Sequence, residues 1–135
     1  MFTGGCQCGA LRYRVDADPI RVYCCHCSEC RAQSASAFGI SVIVPAAAVA
    51  LTRGQPRIWS RPTHAGKRLD CAFCADCGSR IWHAEAPKGD EVSIKGGSVD
   101  GGIDLTGADH IWTASKLPGI VIPGGARQFQ QDHHG

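Results

Sequence analysis

At 135 residues, 44% hydrophobic and 19% charged, the chain has the size and balance of a single globular domain spanning 1–135, which excludes a disordered segment. No run approaches the ~20 apolar residues of a membrane span. A formal charge of +2, carried by scattered Lys and Arg, gives no electrostatic case for nucleic-acid binding.

Residues 1–9 read as a glycine-rich knot around Cys6-Gln7-Cys8, and glycine permits the tight backbone approach that a metal-binding turn needs. Met1 to Cys6 carries no basic region followed by an apolar core, so no signal peptide is evident. That predicts a cytoplasmic protein whose thiols stay reduced. Leu11 to Val15 alternates apolar and polar, the period of a half-buried strand. Asp16 to Pro19 is a turn, and Ile20 to Cys24 a second strand running straight into Cys25-His26-Cys27-Ser28-Glu29-Cys30-Arg31. This run reads as a loop at a strand end.

Phe38 to Val44 is an apolar, β-branched stretch that predicts a buried strand. The alanines of 45–50 are too few for a helix of their own and read as a turn or edge segment. Further strands are expected at Arg57–Ser60, Leu69–Phe73, Ser79–His83, Glu91–Lys95 and His110–Thr113. A polar loop over 61–67 holds His64. Residues 118–123 read as an extended surface segment, and the tail from Gln128 to Gly135, with His133 and His134, as frayed. Many short strands with Gly/Pro turns and almost no helical period predict a mainly β fold.

Nine cysteines, odd in number and clustered, favour metal over disulfides in a reducing compartment. Cys6 with Cys8, and Cys74 with Cys77, are two pairs that together supply four sulfur ligands, a closed structural zinc site. Cys25, Cys27 and Cys30 are three ligands that one turn can aim at a second ion, and three protein ligands with an exchangeable fourth position mark reactive zinc. A fourth ligand would close that site instead. The candidates are Cys24, Cys71, His26, His64, His83 and His110. Seven thiolates and two Zn²⁺ would bring the formal +2 to roughly −1. Arg31 is positioned in sequence to offset the thiolate charge or to hold a substrate carboxylate. His26 and Glu29 lie where they could move protons. An all-sulfur zinc is a weak Lewis acid but well suited to binding a further thiol as thiolate, so a thiol co-substrate is expected before hydrolysis by water.

Gly4-Gly5-Cys6-Gln7-Cys8-Gly9 with Arg12-Tyr13, then Cys25 to Arg31, then Phe73-Cys74-Ala75-Asp76-Cys77-Gly78, resemble the glutathione-dependent formaldehyde-activating enzyme family. The resemblance continues through Asp104, His110-Ile111-Trp112-Thr113 and Ser115-Lys116. It implies an Mss4-like fold of antiparallel sheets stapled by zinc. It also implies a structural zinc on Cys6, Cys8, Cys74 and Cys77, and a catalytic-type zinc on Cys25, Cys27 and Cys30. The implied activity is that of a carbon–sulfur lyase joining glutathione and formaldehyde, with small-molecule thiol and aldehyde as partners. Two other readings compete: a zinc-stabilised binding module, and a redox sensor whose thiols eject zinc on oxidation.

Overall fold

The computed structural model describes residues 1–63, 65–87 and 89–132. Their strands are β1 (Phe2–Gly5), β2 (Arg12–Val15), β3 (Arg21–Cys25), β4 (Gly39–Pro45), β5 (Val49–Arg53), β6 (Arg57–Pro62), β7 (Arg68–Phe73), β8 (Arg80–Ala86), β9 (Glu91–Lys95) and β10 (Asp109–Ile111). One short helix, α1 (Ser28–Ser34), interrupts them, with single 3-10 turns at Ala46–Ala48, Gly96–Ser98 and Thr113–Ser115. The fold is mainly β, as the patterning predicts. None of the described helices is long and apolar enough to cross a membrane.

The strands form two sheets. β1, β2 and β5 make a three-stranded sheet, and the other seven run in the order β10-β3-β4-β9-β8-β7-β6. All neighbours are antiparallel except β10 and β3, which are parallel. Period-two alternation sets the core. In β2, Tyr13 and Val15 are fully buried while Arg14 faces out. They pack with Leu11 against Val42, Val44, Ile81, Val92 and Ile94 of the large sheet. Each such side chain contributes about 1.5–3 kcal/mol on burial. A Cβ at Gly4 would collide with the Tyr13 hydroxyl and the Ser98 carbonyl, so glycine there lets β1 close over the core. The Tyr13 hydroxyl is satisfied by Ser98 Oγ at 2.8 Å.

The reverse face of the large sheet is polar. Tyr23, Ser41 and Lys95 lie opposite one another across β3, β4 and β9. Cys71, His83 and Ser93 do the same across β7, β8 and β9. The core thus claims one side of the sheet, and the other is left for chemistry.

Three sequence expectations change. The Cys25–Arg31 run is not all loop, because α1 begins at Ser28 with Cys27 as its N-cap and ends at Ala35 in the left-handed region (φ 51°). The last strand stops at Ile111, because Trp112 is also left-handed (φ 55°) and cannot continue a ladder. The tail does not fray from Gln128. Phe129 N–H donates to the His110 carbonyl at 2.9 Å, and Trp112 N–H to the Gln131 carbonyl at 2.8 Å, so backbone pairing outweighs the polar composition. His133, His134 and Gly135 lie outside the described residues, as does His64.

Candidate metal centres

The first centre is built from two tight turns. Cys6 N–H donates to the Leu11 carbonyl at 3.0 Å and Gly9 N–H to the Cys6 carbonyl at 3.2 Å, folding Cys6 and Cys8 into one knuckle. Cys74 N–H donates to the Ser79 carbonyl at 2.9 Å and Gly78 N–H to the Cys74 carbonyl at 2.8 Å, forming the other. Gly9 and Gly78 each take φ +80°, which the turns require. The knuckles face each other. Cys6 Sγ lies 3.6 Å from Cys8 Sγ, and Cys8 Sγ lies 3.8 Å from Cys74 Sγ. With Cys77, all four sulfurs lie within 4.8 Å of one another. Four sulfurs bound to one zinc at about 2.3 Å sit roughly 3.8 Å apart, so this donor set fits the ion. Leu11 N–H donates to Cys6 Sγ at 3.2 Å. The hydroxyl and N–H of Ser79 hold the Cys77 thiol down to about 5. Both suit sulfurs that bind as thiolates.

The second centre sits where β3 ends and α1 begins. Cys25 is the last residue of the strand, Cys27 caps the helix and Cys30 lies in its first turn. Cys30 N–H donates to Cys27 Sγ at 3.3 Å. Hydrogen bonds from the Cys25 and Cys30 thiols, with those of the Cys30 and Glu29 N–H groups, favour Cys27 as a thiolate, while hydrogen bonding with Cys27 and Cys30, and then burial, push Cys25 up. The three sulfurs lie within 4.8 Å of one another, and no fourth Cys, His, Asp or Glu joins them among the described residues. Gly39, paired with Cys25, makes room for Cys30: a Cβ there would lie 3.2 Å from Cys30 Cβ.

Four of the candidate fourth ligands, Cys24, Cys71, His26 and His110, are occupied otherwise. Cys24 and Cys71 are fully buried, and burial pushes the Cys24 thiol up to about 11 and raises that of Cys71. They pack as small apolar side chains. His26 and His110 engage each other, Nε2 to Nδ1 at 2.8 Å, and Phe38 lies 5.2 Å from the His26 ring. Burial lowers the pKa of both imidazoles. Arg31 turns away from the sulfurs. Its Nη1 donates to the His26 carbonyl at 3.0 Å and to the Ser115 carbonyl at 2.6 Å, clamping the cysteine loop to the turn after β10. Glu29 is exposed, its Oε2 3.8 Å from Arg61 Nε.

Two clefts meet at the second centre. One, of about 690 Å³, reaches from Cys6 and Arg12 to Cys30 and Phe38. The other, of about 530 Å³, lies on the polar sheet face and includes Cys25, Tyr23, Ser41 and Arg61. Cys30, His83 and Lys95 line both. Lys95 Nζ donates to Ser41 Oγ at 3.2 Å and faces Cys30 and Cys25. Sequence reasoning considered His83 only as a ligand and passed over Lys95, Ser93, Arg61, Tyr23 and Ser41. The alternation of Glu91 to Lys95 held a signal, since it puts Ser93 and Lys95 on one face.

The family model described as glutathione-dependent formaldehyde-activating enzyme matches residues 1–115. The chain belongs to this family. Both cysteine clusters fall inside the matched span. A crystal structure of a Rhodobacter sphaeroides protein is similar in fold, with a TM-score of 0.63 at 21% identity over 80% of this chain and 98% of that one.

Proposed function

We propose that the protein is a zinc-dependent carbon–sulfur lyase-type enzyme that adds glutathione, or another thiol, to formaldehyde or a related aldehyde in the cytoplasm. One observation carries this reading. Cys25, Cys27 and Cys30 converge with no fourth side-chain ligand among the described residues, and two clefts reach the cluster, both at Cys30 and the smaller also at Cys25. In this reading Cys6, Cys8, Cys74 and Cys77 hold a structural zinc, and Cys25, Cys27 and Cys30 hold the second. When bound there, zinc supplies acidification of an incoming thiol. The family description supports glutathione and formaldehyde as the reactants.

The chain's own groups do the rest. Three thiolates would leave a −1 charge on a divalent ion; burial lowers the Lys95 pKa while Cys30 and Cys25 favour its charged form, and in that form it offsets this charge. As the sulfur–carbon bond forms, the carbonyl π pair moves to oxygen. Lys95 Nζ delivers the proton that this oxygen takes, and the proton given up by the thiol returns to the amine through solvent in the cleft. Ser41 Oγ fixes the position of Nζ. The reverse sequence breaks the same bond. Phe38 and Ile40 line the larger cleft beside Cys30 and limit water there.

The test begins with native mass spectrometry, which should count two zinc ions per chain. Exchange NMR then follows S-hydroxymethylglutathione formation with and without protein. A rate above the uncatalysed addition, lost in Cys27→Ser, is expected. Two bound zinc ions with no acceleration would sink the lyase reading.

A further inference from the structure

Arg61 Nε, His83 Nε2 and Ser93 Oγ are buried polar atoms without a hydrogen-bond partner. Strand register gathers them. Ser93 lies opposite His83 on neighbouring strands. Arg61 lies opposite Leu69, and Leu69 opposite Glu85, two residues along β8 from His83. All three line the cleft of about 530 Å³ that also holds Cys25 and Cys30. His83 is only 8% exposed. A buried polar group without a partner costs about 1–3 kcal/mol. Three of them on one wall of one cleft mark a place where ligand atoms belong.

The charge of that wall says which ligand. Arg61 and Lys95 both face His83 and make the wall cationic. Two of the three acids that line the cleft are turned to other partners, Glu85 to Lys67 at 3.3 Å and Glu91 to Arg21 at 3.3 Å; the third, Asp90, lies just before β9 beside Glu91. Glu29 approaches Arg61 Nε to 3.8 Å, beyond hydrogen-bond range. Burial first, then the positive charges of Lys95, Arg61 and Arg80, lower the His83 pKa to about 3, so its ring is neutral and presents one N–H. A guanidinium, an imidazole N–H and a hydroxyl suit the two oxygens of a carboxylate.

We propose that Arg61, His83 and Ser93 form a carboxylate-binding subsite that holds one reactant beside Cys25 and Cys30 and selects it over its uncharged analogue. This rests on the reading of the three-cysteine cluster as the reaction centre. Formaldehyde offers nothing to such a subsite. The carboxylate belongs either to the thiol, as in glutathione, or to a larger aldehyde, as in a 2-oxo acid.

The test is calorimetry on the zinc-loaded protein with two probes: S-methylglutathione, which has no free thiol, and glyoxylate. At least one should bind, more weakly as salt rises. Arg61→Gln and His83→Phe should each weaken that binding about tenfold or more, and Ser93→Ala by about threefold. Ser93→Ala removes only a hydroxyl and keeps the test meaningful where the larger changes unfold the chain. Circular dichroism and a zinc count of two certify each variant. Binding of S-methylglutathione alone assigns the carboxylate to the thiol, and binding of glyoxylate alone assigns it to the aldehyde. If neither probe binds, or Arg61→Gln binds as well as the parent, the subsite is wrong and its polar atoms serve water. Probe binding without any lyase activity would leave the subsite standing and remove the proposed reaction. Lyase activity equally fast with 2-mercaptoethanol and glutathione, and with formaldehyde and glyoxylate, would do the opposite.

Discussion

Cys8 and Cys74 are 66 residues apart in the chain, and their sulfurs are 3.8 Å apart. That contact ties the small sheet, through the turn after β1, to the end of β7 in the large one. A structural zinc site in small peptides is worth about 10–16 kcal/mol at neutral pH. A whole domain is stable by only about 5–15 kcal/mol. Zinc held at the first centre would therefore outweigh several core side chains.

Cys74→Ser should unfold the protein or lower its melting temperature by tens of degrees, because the fold loses its crosslink. Cys27→Ser should instead keep a cooperative melt and lose one zinc. Thermal melting followed by circular dichroism, paired with metal counting by native mass spectrometry, separates the two. An unshifted melt for Cys74→Ser would contradict the staple.

Gly39→Ala should loosen the second centre without unfolding the first. The new methyl lies 3.2 Å from Cys30 Cβ, so β4 and α1 must part by a few tenths of an ångström. Such overpacking costs about 1–3 kcal/mol. Competition with a chromophoric chelator should show one weakened zinc, by roughly tenfold, and one unchanged.

His83 predicts a pH dependence of stability. Its folded pKa of about 3 lies below the ordinary imidazole value, mainly through burial. The unfolded chain therefore takes up a proton as pH falls through about 6.5, while the folded chain does not until about pH 3. Full stability is present above about pH 6.5, and about 2 kcal/mol of it is lost by pH 5. In denaturant titrations at pH 7 and pH 5, His83→Gln should lose less stability on acidification than the parent. Equal losses would mean that His83 is protonated in the fold.

Arg31→Gln should cost stability rather than substrate preference. The guanidinium holds two backbone carbonyls, those of His26 and Ser115, and such charge-assisted bonds are worth about 1.5–3 kcal/mol each at most. Chemical denaturation should report the loss. The ratio of rates with glutathione and 2-mercaptoethanol should stay at the parent value.

The cysteine spacing carried most of the candidate site, because ligands two or three residues apart can reach one ion whatever the surrounding fold. Strand periods were legible for the same local reason. α1 was not, since none of its residues is buried and it shows no apolar stripe; a Cys27 cap and a left-handed Ala35 define it instead. The end of β10 was hidden because a left-handed tryptophan has no sequence signature. The wall of Arg61, His83 and Ser93 could not be read either. It exists only once β6, β7, β8 and β9 pair in register, and that pairing is set by a core on the opposite face. The parallel pairing of β10 with β3, which brings His110 to His26, is equally non-local.

The two clusters also differ in when a growing chain can complete them. Cys25, Cys27 and Cys30 are together in the chain as soon as Cys30 emerges, and one capped turn suffices to bring their sulfurs within reach of one ion. Cys6 and Cys8 must wait for Cys74 and Cys77, across a loop whose closure is slow and costly in entropy. During that wait the early thiols are exposed to oxidants and to capture by the wrong partner. If both clusters hold zinc, metal present during translation would shorten that exposure more than metal added afterwards.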